Sequence, residues 1–140
     1  MTEPVIIVRT LAQAEAALAA AAEASRVVVL ASPPGGALTS GAAFYASLAR
    51  EAAARNPEAA FSLRVDCGDD CGAALGALRI GIPEISCRAP RASRERLAAL
   101  ARRHNAHLVP MTARTWRDSL DLQGVGDPLK ACRERLARHR

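Results

Sequence analysis

The sequence predicts a single α/β domain: an open, mainly parallel five-stranded sheet with helices on both faces, a three-layer αβα arrangement with an added C-terminal helix. Three observations predict it. Short β-branched runs alternate about five times with alanine-rich stretches of helical spacing, joined by short connections. The strand runs are continuously apolar, the pattern of strands covered on both faces. At 140 residues the chain is close to the commonest domain size and can bury roughly two-thirds of its unfolded surface. Five units are too few for a closed eight-stranded barrel.

The elements follow in order. Pro4–Val8 (PVIIV) reads as a buried strand, and Thr10-Leu-Ala-Gln13 as a capping box that opens a helix over Leu11–Ala24. Arg26–Ala31 (RVVVLA) is a second buried strand, followed by the turn-rich Ser32-Pro-Pro-Gly-Gly36. A helix is expected from Ser40 to Arg55, with Phe44, Leu48 and Ala52 at helical spacing, and Asn56-Pro57 stops it. Phe61–Val65 is a third strand running straight into Asp66-Cys-Gly-Asp-Asp-Cys-Gly72. A short helix over Cys71–Arg79 ends at Gly81. Glu84–Cys87 is a brief fourth strand, Arg91–Arg103 a basic helix, and His107–Pro110 a weak fifth strand. Residues 1–110 thus hold the strand–helix units. Residues 111–126 read as irregular, and Asp127-Pro128 opens a last basic helix over 127–140, with Leu129, Cys132 and Leu136 on one face.

Composition narrows the function classes. Half of the residues are apolar, but 32 are Ala and only four are aromatic, which leaves few platforms for stacking bases or flat cofactors. The net charge of +5 is unevenly spread. Residues 1–87 hold 6 Arg against 9 acids, a net −3, and residues 88–140 hold 13 basic residues against 5 acids, a net +8. A basic final third attracts phosphates, nucleic acid or an acidic partner, and it also describes an ordinary solvated helix face. No basic leader precedes the first strand, and Leu11–Ala24 is interrupted by Gln13, Glu15 and Glu23, so neither a signal peptide nor a membrane span is expected. A cytoplasmic setting follows, with the four Cys as reduced thiols and no structural zinc.

In open parallel sheets ligands bind beyond the carboxyl ends of the strands. Those ends carry Arg9-Thr10, Ser32–Ser40, Asp66–Asp70, Cys87-Arg88 and Pro110–Thr112. The loop Ser32–Gly41 (SPPGGALTSG) offers backbone N–H groups at Gly35 and Gly36 and hydroxyls at Ser32, Thr39 and Ser40, which with Arg88 make a candidate anion site. It lacks the glycine spacing of a dinucleotide fingerprint and the Gly-Lys-Ser/Thr of a P-loop. Asp66, Cys67 and Asp69 crowd a central strand end and are the candidate catalytic residues, as an acid–base pair or a thiol nucleophile. The spacing Cys67-x-x-x-Cys71 is not that of redox or zinc motifs, an Asp here also serves as a helix cap, and Cys often just fills space. His104, His107 and His139 are scattered, and no serine elbow or His-Glu-x-x-His is present.

Asp66-Cys-Gly-Asp69, then Gly72, Ala74-Leu75, Ala77-Leu78-Arg79 and Gly81, resembles a segment shared by a group of small, uncharacterised bacterial α/β proteins. In that group a Ser-x-Pro-Gly-like turn also follows the second strand, comparable with Ser32–Gly35. The resemblance spans residues 5–110 and implies a fold and a bacterial setting, with no activity to transfer. Ala73–Ile85 is more loosely similar to helix–strand units of phosphate-binding barrels, a motif too generic to carry a role.

Three readings remain. The leading one is a regulatory or small-anion-binding module without cofactor or metal. The second is an enzyme acting on a small, phosphorylated metabolite through Asp66, Cys67 or Asp69. The third is a nucleic-acid-associated protein using Arg88, Arg91, Arg94, Arg96, Arg102 and Arg103, which the few aromatics argue against. A homodimer is expected, because Trp116, Leu120, Leu122, Leu129 and Leu136 follow the fifth strand without an obvious partner.

Overall fold

The chain begins with strand β1 (Val5–Ile7), helix α1 (Leu11–Ala24) and strand β2 (Val28–Ala31), in a computed structural model that describes residues 3–138. Thr10 caps α1 by accepting a hydrogen bond from the Gln13 N–H, and the Gln13 carboxamide accepts one from the Arg9 N–H at 2.7 Å. One turn of helix, α2 (Gly36–Thr39), precedes α3 (Ala42–Arg55), then β3 (Phe61–Asp66), α4 (Cys71–Arg79), β4 (Glu84–Ser86) and α5 (Arg91–Arg103). The last part of the chain forms β5 (His107–Leu108), α6 (Ala113–Asp118), β6 (Leu120–Asp121) and α7 (Pro128–Arg138).

All six strands are parallel, in the order β5-β4-β3-β2-β1-β6. One register row crosses the whole sheet: Asp121, Ile7, Ala31, Arg64, Glu84 and His107. The first five strands advance in one direction, and right-handed crossovers then place their helices on the same face. The packing agrees: α1 lies between α7 and α3, and α4 touches both α3 and α5. Ile6, Val8, Val28, Leu30, Leu63, Val65 and Ile85 point into this helix-covered face and form the main core with Leu18, Tyr45, Leu78 and Leu97. Alanines on α1 let it sit close to the sheet; Ala14 and Ala17 are fully buried.

The second face is covered thinly by α6 and the chain leading into it. Residues 109–119 return from the β5 edge to the β6 edge. With six of these residues helical they reach about 26 Å at most, against about 24 Å across a flat sheet of six strands. This segment is just long enough to cross the sheet. Ile7, Val29 and Ala31 are accordingly 2–3 % exposed although no long helix covers them. Arg64 also lies here, held by two hydrogen bonds to one Glu84 oxygen at 2.7 and 2.9 Å.

The sequence predicts five strands and an irregular 111–126 segment, whereas the sheet has six strands and that segment contains α6 and β6. A two-residue strand has no periodicity to read, and only the β1 edge defines it, through Ile6↔Leu120 and Ile7↔Asp121. The helix expected from Ser40 starts at Ala42, because the chain first makes α2 and then turns at Gly41, whose φ of 91° an L side chain rarely adopts. The apolar residues that suggested a dimer are accommodated within the chain. Leu122 and Leu136 are buried, and Trp116, Leu120 and Leu129 are half-buried. Among the described residues no helix is long and apolar enough to cross a membrane.

Candidate functional site

β3 is a central strand, and its last residue, Asp66, sits beside the loop that follows β2. Its carboxylate is 7 % exposed and fully engaged. One oxygen accepts from the Gly35 N–H at 2.6 Å and the Gly68 N–H at 3.2 Å; the other accepts from the Ser86 hydroxyl at 2.6 Å. The Ser32 hydroxyl accepts from the Asp66 N–H at 2.9 Å and donates to the Pro33 carbonyl. Three strand ends are thereby tied together around one carboxylate. The Gly-rich loop does receive an anion, and that anion is the protein's own Asp66.

This arrangement explains the loop's composition. Gly35 has a φ of 70° and supplies the N–H. A Cβ on Gly36 would fall 2.5 Å from the Ser32 Cβ and 3.0 Å from the Tyr45 ring, so only Gly fits there. The Gly36 N–H goes to the Pro33 carbonyl, the Leu38 and Thr39 N–H groups to Gly35, and the Ser40 N–H to Gly36. The Thr39 hydroxyl lies 3.4 Å from the Gly36 carbonyl, and Ser40 is exposed on the rim. Ser32, Gly35, Gly36 and Thr39 therefore satisfy one another and Asp66, and none is turned out as an open phosphate cradle.

The remaining members of the acidic stretch separate. Asp70 caps α4, accepting from the Ala73 N–H at 3.0 Å, and Asp69 is exposed. Cys67 points the other way, into the core, with no exposed surface. Burial pushes its thiol up to about 12, with Cys87, Asp66 and Asp70 adding to the effect. Asp66, Cys67 and Asp69 thus do not face one reaction centre: one is a clamp, one is core and one is rim. His104 and His107 are exposed on separate elements, and His139 lies outside the described residues.

An open space does exist at the strand ends, one unit further along. A cavity of about 500 Å3 lies between the start of α5 and the chain leaving β5, lined by Cys87, Arg88, Arg94, Leu108, Met111 and Thr112 among others. This size falls within the range of small-molecule sites. Its body is apolar, from Ala89, Ala98, Leu108, Val109, Pro110 and Met111, and its rim carries two guanidinium groups. Among the described residues neither Arg88 nor Arg94 pairs with a carboxylate; Glu95, which also lines the cavity, is engaged by Arg91 at 3.2 Å. The Arg88 N–H is spent on the Gly68 carbonyl at 2.6 Å, which ties this cavity to the Asp66 clamp. A second cavity, of about 410 Å3, opens on the thin face between Arg64, Arg114, Thr115 and the start of β1.

Of the residues expected at the site, Arg88 lines this cavity, whereas Ser32 and Gly35 bond to Asp66 and, with Gly36, do not line it. Ser86 and Arg94 belong to the arrangement and stand out less in the sequence. A serine within the apolar Glu84–Cys87 run was the available signal for Ser86; Arg94 is one of many arginines on α5. No family model and no curated protein matches this sequence.

Proposed function

We propose that this chain is a small-ligand-binding α/β module whose ligand is a small organic anion with an apolar body. The observation that carries the reading is the pair of guanidinium groups, Arg88 and Arg94, which line a mainly apolar cavity of about 500 Å3 and pair with no carboxylate among the described residues. Its position at the carboxyl ends of β4 and β5 is where parallel sheets hold ligands. A carboxylate or phosphate ester would be gripped by charge-assisted hydrogen bonds from arginine, and its hydrocarbon part would cover Leu108, Val109 and Met111. The Asp66 clamp supports the reading as scaffold, since a rigid wall pre-organises the mouth. The setting in this reading is the bacterial cytoplasm, where four thiols persist reduced.

Binding is tested by thermal shift and calorimetry with hexanoate, phenyl phosphate, inorganic phosphate and the neutral analogue hexanol. The expected result is stabilisation by hexanoate or phenyl phosphate, about 2.7 kcal/mol at a hundredfold excess over Kd, with weaker effects from phosphate alone or hexanol. Arg88→Gln and Arg94→Gln each weaken binding about tenfold, the loss of one charge-assisted hydrogen bond. Equal responses to hexanoate and hexanol, or unchanged affinity in the double variant, overturn the reading.

A further inference from the structure

We propose that the outer side of α4 is the contact between two copies of this chain, packed antiparallel about a two-fold axis beside Leu75. The inference does not depend on the ligand reading; it rests on what α4 leaves exposed. At 100° per residue Ala74, Ala77 and Leu78 fall on one side of the helix, and all three are buried. Gly72, Leu75, Gly76 and Arg79 fall on the other side, where Leu75 is half-buried and the rest are exposed. The solvent side of a helix in a monomer is ordinarily polar. That of α5 is, with Arg91, Glu95, Arg96 and Arg102 exposed, whereas that of α4 holds a single charge. The apolar surface continues past both ends of α4. Ile80, the residue after it, is 50 % exposed. Before the other end, a Cβ on Gly68 would fall 3.2 Å from the side chain of Leu38, itself 51 % exposed. Phe44, also exposed, sets its ring 5.1 Å from that of Tyr45, and Tyr45 lies against Gly36 at the start of α2. Leu38, Phe44 and Ile80 are three of the four large apolar side chains exposed among the described residues, and α2 and α3 both pack against α4.

Charge selects a second copy as the occupant. Asp69 lies just before α4 and Arg79 ends it; both are exposed, and neither forms an ion pair among the described residues. Leu75 is the midpoint of Cys71–Arg79. An antiparallel copy centred on Leu75 therefore brings the start of its own α4 to Arg79. Asp69 is at most about 7 Å of chain from Cys71, within the span of an arginine side chain, so each Arg79 meets the other copy's Asp69. The same rotation brings Ile80 of one copy toward Leu38 of the other. Every such contact occurs twice, the self-complementary pattern of a closed two-fold interface. Its centre is apolar and its charges lie at the rim, as in other protein interfaces. An unrelated acidic helix would satisfy Arg79 and leave Asp69 facing like charge. At Gly76 a Cβ would meet nothing within 4 Å, so the backbone there is open to close approach by the second copy.

The test is sedimentation velocity of the full chain from about 1 to 100 µM, the range over which a dimer of micromolar Kd dissociates. The expected mass at the upper end is twice 14.7 kDa. Leu38→Lys and Ile80→Lys each weaken the dimer by about tenfold or more. Arg79→Asp and Asp69→Arg weaken it likewise by setting like charges together, and the combined variant Arg79→Asp/Asp69→Arg recovers to within about threefold of the original. Arg102→Asp, on the outer side of α5, leaves the dimer intact. Far-ultraviolet circular dichroism of the weakened variants matches that of the original chain, which separates a lost contact from a lost fold. A monomer at every concentration, a dimer indifferent to Ile80→Lys and Arg79→Asp, a combined variant no tighter than its singles, or an assembly that keeps growing with concentration each overturns the proposal.

Discussion

Asp66 shows how a single side chain can read as chemistry in sequence and turn out to be architecture. A carboxylate at a central strand end is what acid–base catalysis needs, and the sequence shows nothing of the three donors that converge on it. The clamp has a measurable cost when broken. Asp66→Asn keeps the shape but turns an amide donor toward groups that are themselves donors, leaving buried polar atoms unpaired. It is expected to destabilise the chain by about 2–3 kcal/mol, read as a lower urea midpoint at unchanged slope. Two glycines make a sharper contrast. Gly36→Ala forces a Cβ to 2.5 Å from Ser32 and is expected to cost about 1–3 kcal/mol. Gly76→Ala, inside α4 and with nothing within 4 Å, is expected to stabilise by about 0.5–1 kcal/mol. Opposite signs from the same substitution separate a close approach from a mere helix weakness.

At the scale of elements, α7 is the part whose role the tertiary structure decides. Its apolar stripe of Leu129, Cys132 and Leu136 is legible in sequence, but the surface that receives it is not. It docks on α1 of its own chain, with Leu136 2 % exposed. The Arg26 guanidinium donates to the Leu136 carbonyl at 2.8 Å, and Arg133 meets Glu23 through two exposed hydrogen bonds. The ion pair contributes little, being open to solvent on both sides. Leu136→Ala is therefore expected to cost about 2–5 kcal/mol, against little change for Arg133→Ala, in parallel urea titrations. Equal losses from the two would mean that α7 is held by charge instead of by packing. At the other edge of the sheet α5 differs: its basic residues lie mostly in solvent, and Arg94 on its first turn lines a cavity together with Arg88, which precedes the helix.

For the whole molecule, the buried thiols couple stability to pH. Burial raises Cys67 to about 12 and Cys132 to about 11, from an ordinary value of 9.0, with Arg135 opposing the shift at Cys132. The sign follows from linkage. The unfolded chain releases these protons near pH 9 while the folded chain keeps them, so the contribution is complete below pH 9 and is lost as the pH climbs toward 11 and 12. Urea midpoints are expected to fall across that window, and to fall less steeply in Cys67→Ala/Cys132→Ala. An identical decline in that variant would assign the alkaline loss to other groups.

The sequence by itself determined the α/β class, the parallel sense of the sheet, the first five strands, the long helices and the placing of Asp66 beside the Ser32–Gly36 loop. Each of these is carried by local signals: apolar runs, helical spacing, capping residues, and a helix between successive strands that is long enough to return the chain parallel. The tertiary structure alone decided the strand order, the sixth strand, and which rim residues face open space. Leu120–Asp121 is too short to declare itself and becomes a strand only by pairing with β1. Asp66 is chemically available until Gly35, Gly68 and Ser86 supply their donors from three strand ends. Arg88 and Arg94 line an open cavity and pair with no carboxylate among the described residues, and such pairings form between residues distant in sequence, where no local pattern records them.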